Sequence, residues 1–551
     1  MSIDPDSPVL DVADLRVAFG GTEVVRGVSL RISPGECVAI VGESGSGKSV
    51  TARALLGLAG SNASTTSERL RVRGRQLGSA GEREWQRVRA RDVGLILQDA
   101  LVSLDPLRPV GREIEDPLRL HERMPPAGRR ARVLELLHRV GMPDPAYAAR
   151  QRSGELSGGL RQRALIAAAI ALDPPLLIAD EPTTALDVSV QARILALLAR
   201  FTANGTGLLL ISHDLAVVHE LADRILVMRD GTVIEEGTAA EVLGVPRTAY
   251  TRALIAAVPS GTPRGMPLSV VDRPFAAAAE AAAAAPDAIT APSAALYDER
   301  PLLALDHVTK SFEIAGGRFT AVDDVSLSVR RGETLGLVGE SGSGKTTVAR
   351  LALALTKPDS GDVVLDGTEW SRLREAERRP MRPRIGAIYQ DALSSFDPRW
   401  NVGRILADAA SGTERGAPAP GVAALLEQVG LAASVAHRRP LTLSGGQRQR
   451  VAIARALAAS PEVLICDEPV SALDVTIQAQ ILDLLDELQR SRGLACLFIS
   501  HDLGVVRHMA DRVAVMQGGR IVETGAAEQV FAQPAHPYTA QLVADSPRLV
   551  H

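Results

Sequence analysis

Two short stretches carry chemistry in their residue types and spacing. They are "GESGSGKS" at 42–49 and "GESGSGKT" at 339–346, identical at seven of eight positions. Both fit G-x-x-x-x-G-K-[ST], the pattern of a loop that cradles phosphate. Gly42, Gly45 and Gly47, and Gly339, Gly342 and Gly344, allow the backbone to curl through positive φ. Its N–H groups can then converge on phosphate oxygens, and a helix starting at the lysine adds the field of its N-terminal end. Lys48 and Lys345 are placed to reach the β- and γ-phosphates, while Ser49 and Thr346 offer a hydroxyl to Mg²⁺. The chain has only four lysines, Lys48, Lys310, Lys345 and Lys357, so half of them stand where a compact ammonium serves better than a flat guanidinium. Apolar runs, "CVAIV" and "TLGLV", lead into the two loops, and this strand–loop–helix context points to nucleotide binding.

The loop is one landmark of a larger repeat. Gln98 follows "VGLIL" and Gln390 follows "IGAIY"; "LSGGLRQR" at 156–163 returns as "LSGGQRQR" at 443–450. "LLIADEP" matches "VLICDEP", "ALD" recurs at 185–187 and 472–474, and "ISHD" recurs at 211–214 and 499–502. Each half ends in a strand–turn–strand pattern with a tight-turn pair, Asp230-Gly231 or Gly518-Gly519. The repeating unit is therefore a whole domain, expected at 8–260 and 302–548, with a linker at 261–301 that is rich in alanine and proline and reads as a tether.

Composition bounds the remaining choices. At 551 residues the chain is too long for one ordinary domain, and 46% hydrophobic with 23% charged residues is a globular balance. A net charge of −4 and 3% aromatics give no bias toward nucleic acid and few rings on which bases could stack. Cys37, Cys466 and Cys496 show no metal spacing, so neither structural zinc nor a disulfide framework is expected. No apolar run is long enough to span a bilayer, and the first residues lack the features of a signal peptide. The arginine run at 69–92, like its acidic-interleaved counterpart "RLREAERRPMRPR", reads as a solvated face.

Taken in order, these landmarks resemble the nucleotide-binding domain of ATP-binding cassette (ABC) proteins over nearly all of both halves, the "LSGG" signature being the most specific of them. The resemblance implies an α/β fold: two tandem ABC-type P-loop NTPase domains, each with a mostly parallel core sheet, an antiparallel β subdomain and an inserted helical subdomain. Asp180 and Asp467 end buried strands, where they would hold Mg²⁺; Glu181 and Glu468 follow, placed to polarise the attacking water as general base. By resemblance, His213 and His501 contact the γ-phosphate, Gln98 and Gln390 sense Mg²⁺ and water, and Phe19 and Phe312 stack on adenine. Ser157, Gly158 and Gly159, and Ser444, Gly445 and Gly446, form a second anion site at a helix N-terminus that closes on ATP held by the opposite half. Head-to-tail pairing would thus build two complete ATP sites, both with intact residues. The one departure is Leu160 where the second half has Gln447.

The segments after the two glutamines, "SLDP" and "SFDP", and the "HPYT" tail at 536–539 resemble the peptide/nickel class of ABC import ATPases; the first half keeps a degraded tail, with Thr248 and Ala249 in place of His-Pro. The implied machine is an ATPase on the cytoplasmic face of the bacterial plasma membrane, driving two transmembrane permease subunits fed by an extracytoplasmic solute-binding protein. Di- or oligopeptides are the expected cargo class. No cysteine-rich loop follows the tail, so no iron–sulfur cluster is expected. The alternative, a soluble tandem-ABC translation factor acting on the ribosome, calls for a long charged helical linker, which the alanine-rich segment is not.

Overall fold

The computed structural model describes residues 7–98, 103–184, 186–259, 262, 264–269, 300–314, 317–411, 421–471, 473–547 and 549. The tether from 270 to 299, residues 99–102 after Gln98, and Ala185 and Ala472 of the repeated "ALD" lie outside the described residues. The chain forms two compact units. One runs to Ile255 and takes in the chain from Pro547; the other is Ala256–Ser546.

In the first unit the apolar runs become the strands Cys37–Val41, Leu176–Asp180 and Gly207–Ile211, every residue of which is buried. Burial on both faces is what a parallel sheet covered by helices requires, and it explains why these segments show no alternation. The six-stranded sheet runs Thr232–Thr238, Arg224–Arg229, Cys37–Val41, Gly207–Ile211, Leu176–Asp180, Val93–Ile96. All neighbours are parallel except the first two strands, which form the expected hairpin. Asp230 and Gly231 both take positive φ in its turn, at 48° and 82°. A second, antiparallel sheet pairs Leu10–Phe19 with Thr22–Ile32 on one side and with Ala63–Thr66 and Arg69–Val72 on the other. The helices Val110–His121, Pro126–Arg139 and Gly158–Ala169 pack together as the helical subdomain inserted between Val93–Ile96 and Leu176–Asp180.

The second unit repeats this plan. Its core sheet runs Ile385–Ile388, Val463–Asp467, Ala495–Ile499, Thr334–Val338, Arg512–Gln517, Arg520–Ala526, parallel except for the last pair. Its antiparallel sheet is Gly317–Arg330, Pro301–Ile314 and Ser360–Leu365. Residues 264–269, expected within the tether, pack on this unit: Leu268 is buried in its core, and the N–H groups of Leu268 and Ser269 both donate to Asp483 at 2.9 Å. The physical reason is a carboxylate that accepts two backbone donors beside an apolar anchor.

Among the arginines at 69–92, Arg69, Arg73 and Arg89 pair with carboxylates. Arg69 pairs with Asp11 at 2.8 Å, and Arg89 reaches Glu82 at 2.6 Å and the carbonyl of Leu56 at 2.9 Å.

Where the central strand ends, the chain must turn under the sheet edge. Gly42 (φ 146°) and Gly339 (φ 153°) occupy positions where a Cβ would lie 2.1 Å from the Met228 carbonyl oxygen and 2.2 Å from that of Met516. Gly45 (φ 84°) has open space around the same direction. Gly45→Ala should therefore cost only the left-handed penalty of about 1–2 kcal/mol. Gly42→Ala, which also drives a methyl into backbone, should cost about 3 kcal/mol or more, read as the larger loss in thermal or denaturant stability.

Candidate functional site

The parallel sheet puts the C-terminal ends of its strands along one edge, the position at which open α/β sheets bind ligands. In the first unit the register pairs Ile40 with Ile211 and Ile211 with Asp180. The residues past the strand ends, Gly42, Ser212 and Glu181, are thereby brought to the same edge, Gly42 from a segment more than a hundred positions from the other two.

The phosphate loop is held open by its own lysine. Lys48 Nζ donates to the carbonyls of Gly42 and Glu43, both at 2.7 Å. Lys345 Nζ does the same with Gly339 at 2.7 Å and Glu340 at 2.8 Å. Helices begin at the lysines, with Gly47 and Gly344 as left-handed caps at φ 101° and 109°. The first N–H groups of these helices thus face the loop, a fit to an anionic phosphate chain.

Beside the loop stands an oxygen-only donor set. Ser49 Oγ donates to Asp180 Oδ1 at 2.8 Å, and Thr346 Oγ1 reaches Asp467 Oδ1 at 3.4 Å. Hydroxyl plus carboxylate suits a hard cation such as Mg²⁺, which commonly takes one or two protein ligands and completes its shell with phosphate and water. Burial pushes the Asp180 carboxyl above the usual carboxylate range despite the Ser49 hydroxyl. Asp467 is raised by burial and by the neighbouring Glu468 charge. A cation seated there would remove that upward push.

Glu181 and Glu468 occupy strained backbone, both with φ 50°, a conformation uncommon for non-glycine residues. What holds them is a backbone bond from each N–H to the neighbouring strand, to the carbonyls of Ile211 and Ile499 at 2.9 Å. Their carboxylates are then clamped by side chains from the glutamine segment and the histidine turn. Glu181 accepts from Gln98 Nε2 at 2.7 Å and Thr184 Oγ1 at 3.0 Å, and lies 3.2 Å from His213 Nδ1. Glu468 accepts from Gln390 Nε2 at 2.8 Å and lies 3.2 Å from His501 Nδ1. Burial raises both carboxyls, but the histidine hydrogen bonds and charges outweigh it, leaving them below the usual carboxylate range. Burial likewise depresses both imidazoles, and the glutamates outweigh it, leaving His213 and His501 above the usual histidine value. Each histidine is aimed by the aspartate after it: Asp214 and Asp502 cap the following helices, accepting backbone N–H from Ala216 and Val217 and from Gly504 and Val505.

The structure therefore brings Lys48, Ser49, Asp180, Glu181, His213 and Gln98 together in one unit and their six counterparts in the other. Gln98 and Gln390 are attached to the glutamates in this arrangement. Thr184 was missed by sequence reasoning; its signal was its place three residues after Glu181, where a turn can fold a hydroxyl back. Ser471 holds the same place in the second unit, but its hydroxyl donates to the Glu468 carbonyl oxygen at 3.3 Å.

The signature residues belong to the helical subdomain and stand apart from this cluster. Ser157 and Ser444 cap the helices Gly158–Ala169 and Gly445–Leu457 and are exposed, as are Gly158 and Gly445. Gly159 and Gly446 permit a close approach: a Cβ there would meet Val190 and Ile477 side chains at 2.5 and 2.6 Å. Gln447 completes a reciprocal cap by accepting the Ser444 N–H at 3.3 Å, a bond that Leu160 cannot make. Phe19 is half-buried against the antiparallel core, whereas Phe312 is 39% exposed with the Lys310 ammonium 5.7 Å from its ring centre. Among the described residues no helix is long and apolar enough to cross a membrane.

Comparison with known proteins agrees with this geometry. The family model described as "ABC transporter" matches residues 25–184 and 322–471, and that described as "Oligopeptide/dipeptide transporter, C-terminal region" matches 234–272 and 522–551. The chain is 41% identical to the oligopeptide transport ATP-binding protein OppD of Mycobacterium tuberculosis, over 98% of this chain and 99% of that protein. It is 41% identical to the glutathione import ATP-binding protein GsiA of Salmonella typhimurium, over 98% and 89% of the two chains. It is 43% identical to the peptidoglycan transport ATP-binding protein YejF of Agrobacterium fabrum, over 98% and 96%. With two phosphate loops, two Asp-Glu strand ends and two signature helices set in two cassettes, this chain belongs to the ABC transporter family.

Proposed function

We propose that this chain is the ATP-hydrolysing subunit of an importer for di- or oligopeptides or related small solutes, acting at the cytoplasmic face of the plasma membrane. The observation that carries the cargo class is the oligopeptide/dipeptide-type C-terminal region at the end of both cassettes, together with relatives named for oligopeptide, glutathione and peptidoglycan transport. Two transmembrane permease subunits are the partners this function needs, since no described helix can span a bilayer. An extracytoplasmic binding protein would deliver the solute to them. Neither the family matches nor the named relatives support the translation-factor alternative.

In this reading Lys48 and Lys345 give up their carbonyl partners to hold the β- and γ-phosphates, and the loop amides take the remaining oxygens. Ser49 with Asp180, and Thr346 with Asp467, would hold Mg²⁺, which would supply charge neutralisation. Gln98 and Gln390, bonded to the glutamates, would offer it a further oxygen. Glu181 and Glu468, kept ionised by their histidines, orient and polarise the attacking water. His213 and His501 turn to the γ-phosphate, and Phe19 and Phe312 stack on adenine. The exposed Ser157-Gly158 and Ser444-Gly445 termini are available to a nucleotide held by the other cassette, so ATP would draw the halves together and switch the permease.

Glu181→Gln and Glu468→Gln should each retain ATP binding while single-turnover hydrolysis at the altered site falls by about 10²–10⁴. A wild-type rate in either variant would remove that glutamate from the role of base. Co-purification of the double variant from detergent-solubilised cells should recover two multispanning proteins; recovery of ribosomal subunits instead would overturn the importer reading.

The His–Glu pairs also set a pH dependence. The imidazoles sit above their ordinary value, so their stabilising contribution is complete below that value and is lost as pH rises through the raised one. The carboxylates sit below theirs, so their contribution is lost only as pH falls through the lowered value. Replacing both histidines by asparagine should therefore destabilise the nucleotide-free protein more at pH 6 than at pH 9, by roughly 1 kcal/mol per pair. Equal losses at the two pH values would show that the pairs are not ionic.

A further inference from the structure

One contact lies outside the machinery described so far and occurs in both cassettes. The hydroxyl of Tyr250 accepts the backbone N–H of Glu43 at 3.0 Å, and the hydroxyl of Tyr538 accepts the backbone N–H of Glu340 at 3.0 Å. Glu43 and Glu340 are the second residues of the phosphate loops, and their carbonyls hold the loop lysines. The tyrosines come from the helices Ala249–Ala256 and Pro537–Asp545, in the segments matched by the transporter C-terminal region.

These helices are seated by equivalent devices. Glu235 accepts the N–H groups of Arg247 and Thr248 at 2.7 and 3.0 Å and the Thr251 hydroxyl at 2.5 Å. Glu523 accepts the N–H groups of Ala535 and His536 at 2.9 and 3.0 Å. Each helix start is then closed by a side chain: Thr248 Oγ1 accepts the N–H of Thr251, and His536 Nδ1 accepts that of Tyr538. The first cassette has thus lost the His-Pro of the tail pattern and replaced its capping role with threonine, yet the tyrosine and its bond to the loop remain. The rings are fixed as well: the Arg229 guanidinium lies 5.0 Å from the Tyr250 ring centre, and Tyr538 is 7% exposed.

We propose that Tyr250 and Tyr538 are positioning residues for the ATP sites, each latching the curled phosphate loop to the C-terminal helix of its cassette through the hydroxyl. The loop gains from such a tie because its own closing bonds are long, Ser46 N–H donating to the Glu43 carbonyl and Ser343 N–H to that of Glu340, both at 3.2 Å, while phosphate binding requires its amides to converge. By linkage, whatever loosens the tail helix weakens nucleotide binding, and nucleotide binding strengthens the seating of the tail. The inference rests on the ATP-site assignment above and adds the tail as its support.

The test uses the full chain with Tyr250→Phe and Tyr538→Phe, singly and together, since phenylalanine keeps the ring and removes only the hydroxyl. Without nucleotide, amide exchange of peptides covering 42–49 and 339–346 should quicken about five-fold in the matching variant, while exchange elsewhere and Tm stay at wild-type values. The ATP dissociation constant and KM should rise about five-fold, with a smaller change in kcat. Unchanged loop exchange and unchanged affinity would overturn the proposal. So would a fall in Tm with uniformly faster exchange, which would assign the tyrosines to packing alone. Lys345→Ala separates the two levels of the argument. If it leaves ATP affinity intact, the ATP-site assignment fails, while the exchange experiment still judges the latch.

Discussion

The rest of this molecule is arranged around two backbone loops that must hold a tight curl between a buried strand and the helix that follows. Within the loops Ser46 N–H donates to the Glu43 carbonyl and Ser343 N–H to that of Glu340, both at 3.2 Å, and the rest of the hold comes from outside the curl. The cost is met by groups that do not compete for the phosphate. The loop lysine bridges the carbonyls of its first two residues, and glycine at the strand exit lets the chain pass a carbonyl that any side chain would strike. The central strand in front of the loop is buried along its whole length, which anchors one end of the curl in the core.

The same economy governs the glutamates. A non-glycine residue at φ 50° is held there by one backbone bond to the adjacent strand and by side chains from the glutamine segment and the histidine turn. Strain of this kind persists only where the surroundings over-determine it. Here the over-determination also ionises the carboxylate, because the clamping groups donate to it, so holding the residue and preparing it for its task are one act. The histidine that supplies much of this is in turn aimed by a capping aspartate, and the chain of support ends in an ordinary helix start.

The two cassettes differ in small ways that follow from single residues. Threonine for serine lengthens the hydroxyl–aspartate contact from 2.8 to 3.4 Å, and leucine for glutamine removes one arm of the cap on the signature helix. The lysine, both carboxylates and the histidine are kept in type in both cassettes. The lysine–carbonyl, glutamine–glutamate and histidine–glutamate contacts match in partner and differ little in distance between the two cassettes.

The sequence by itself determined the duplication, the strand–loop–helix order around each phosphate loop, and the identity of the charged residues at the strand ends. Those properties are local: glycine spacing, apolar runs and a lysine in an arginine-rich chain are legible without knowing what lies nearby. The hairpin turns at Asp230-Gly231 and Gly518-Gly519 were legible for the same reason. What only the tertiary structure decided is who touches whom across long separations. Gln98 meets Glu181 and Tyr250 meets Glu43 because parallel strands bring distant segments to one edge, and no local pattern encodes that neighbourhood. The docking of Leu268 and Ser269 on Asp483 is of the same kind, since it depends on a carboxylate more than two hundred residues away.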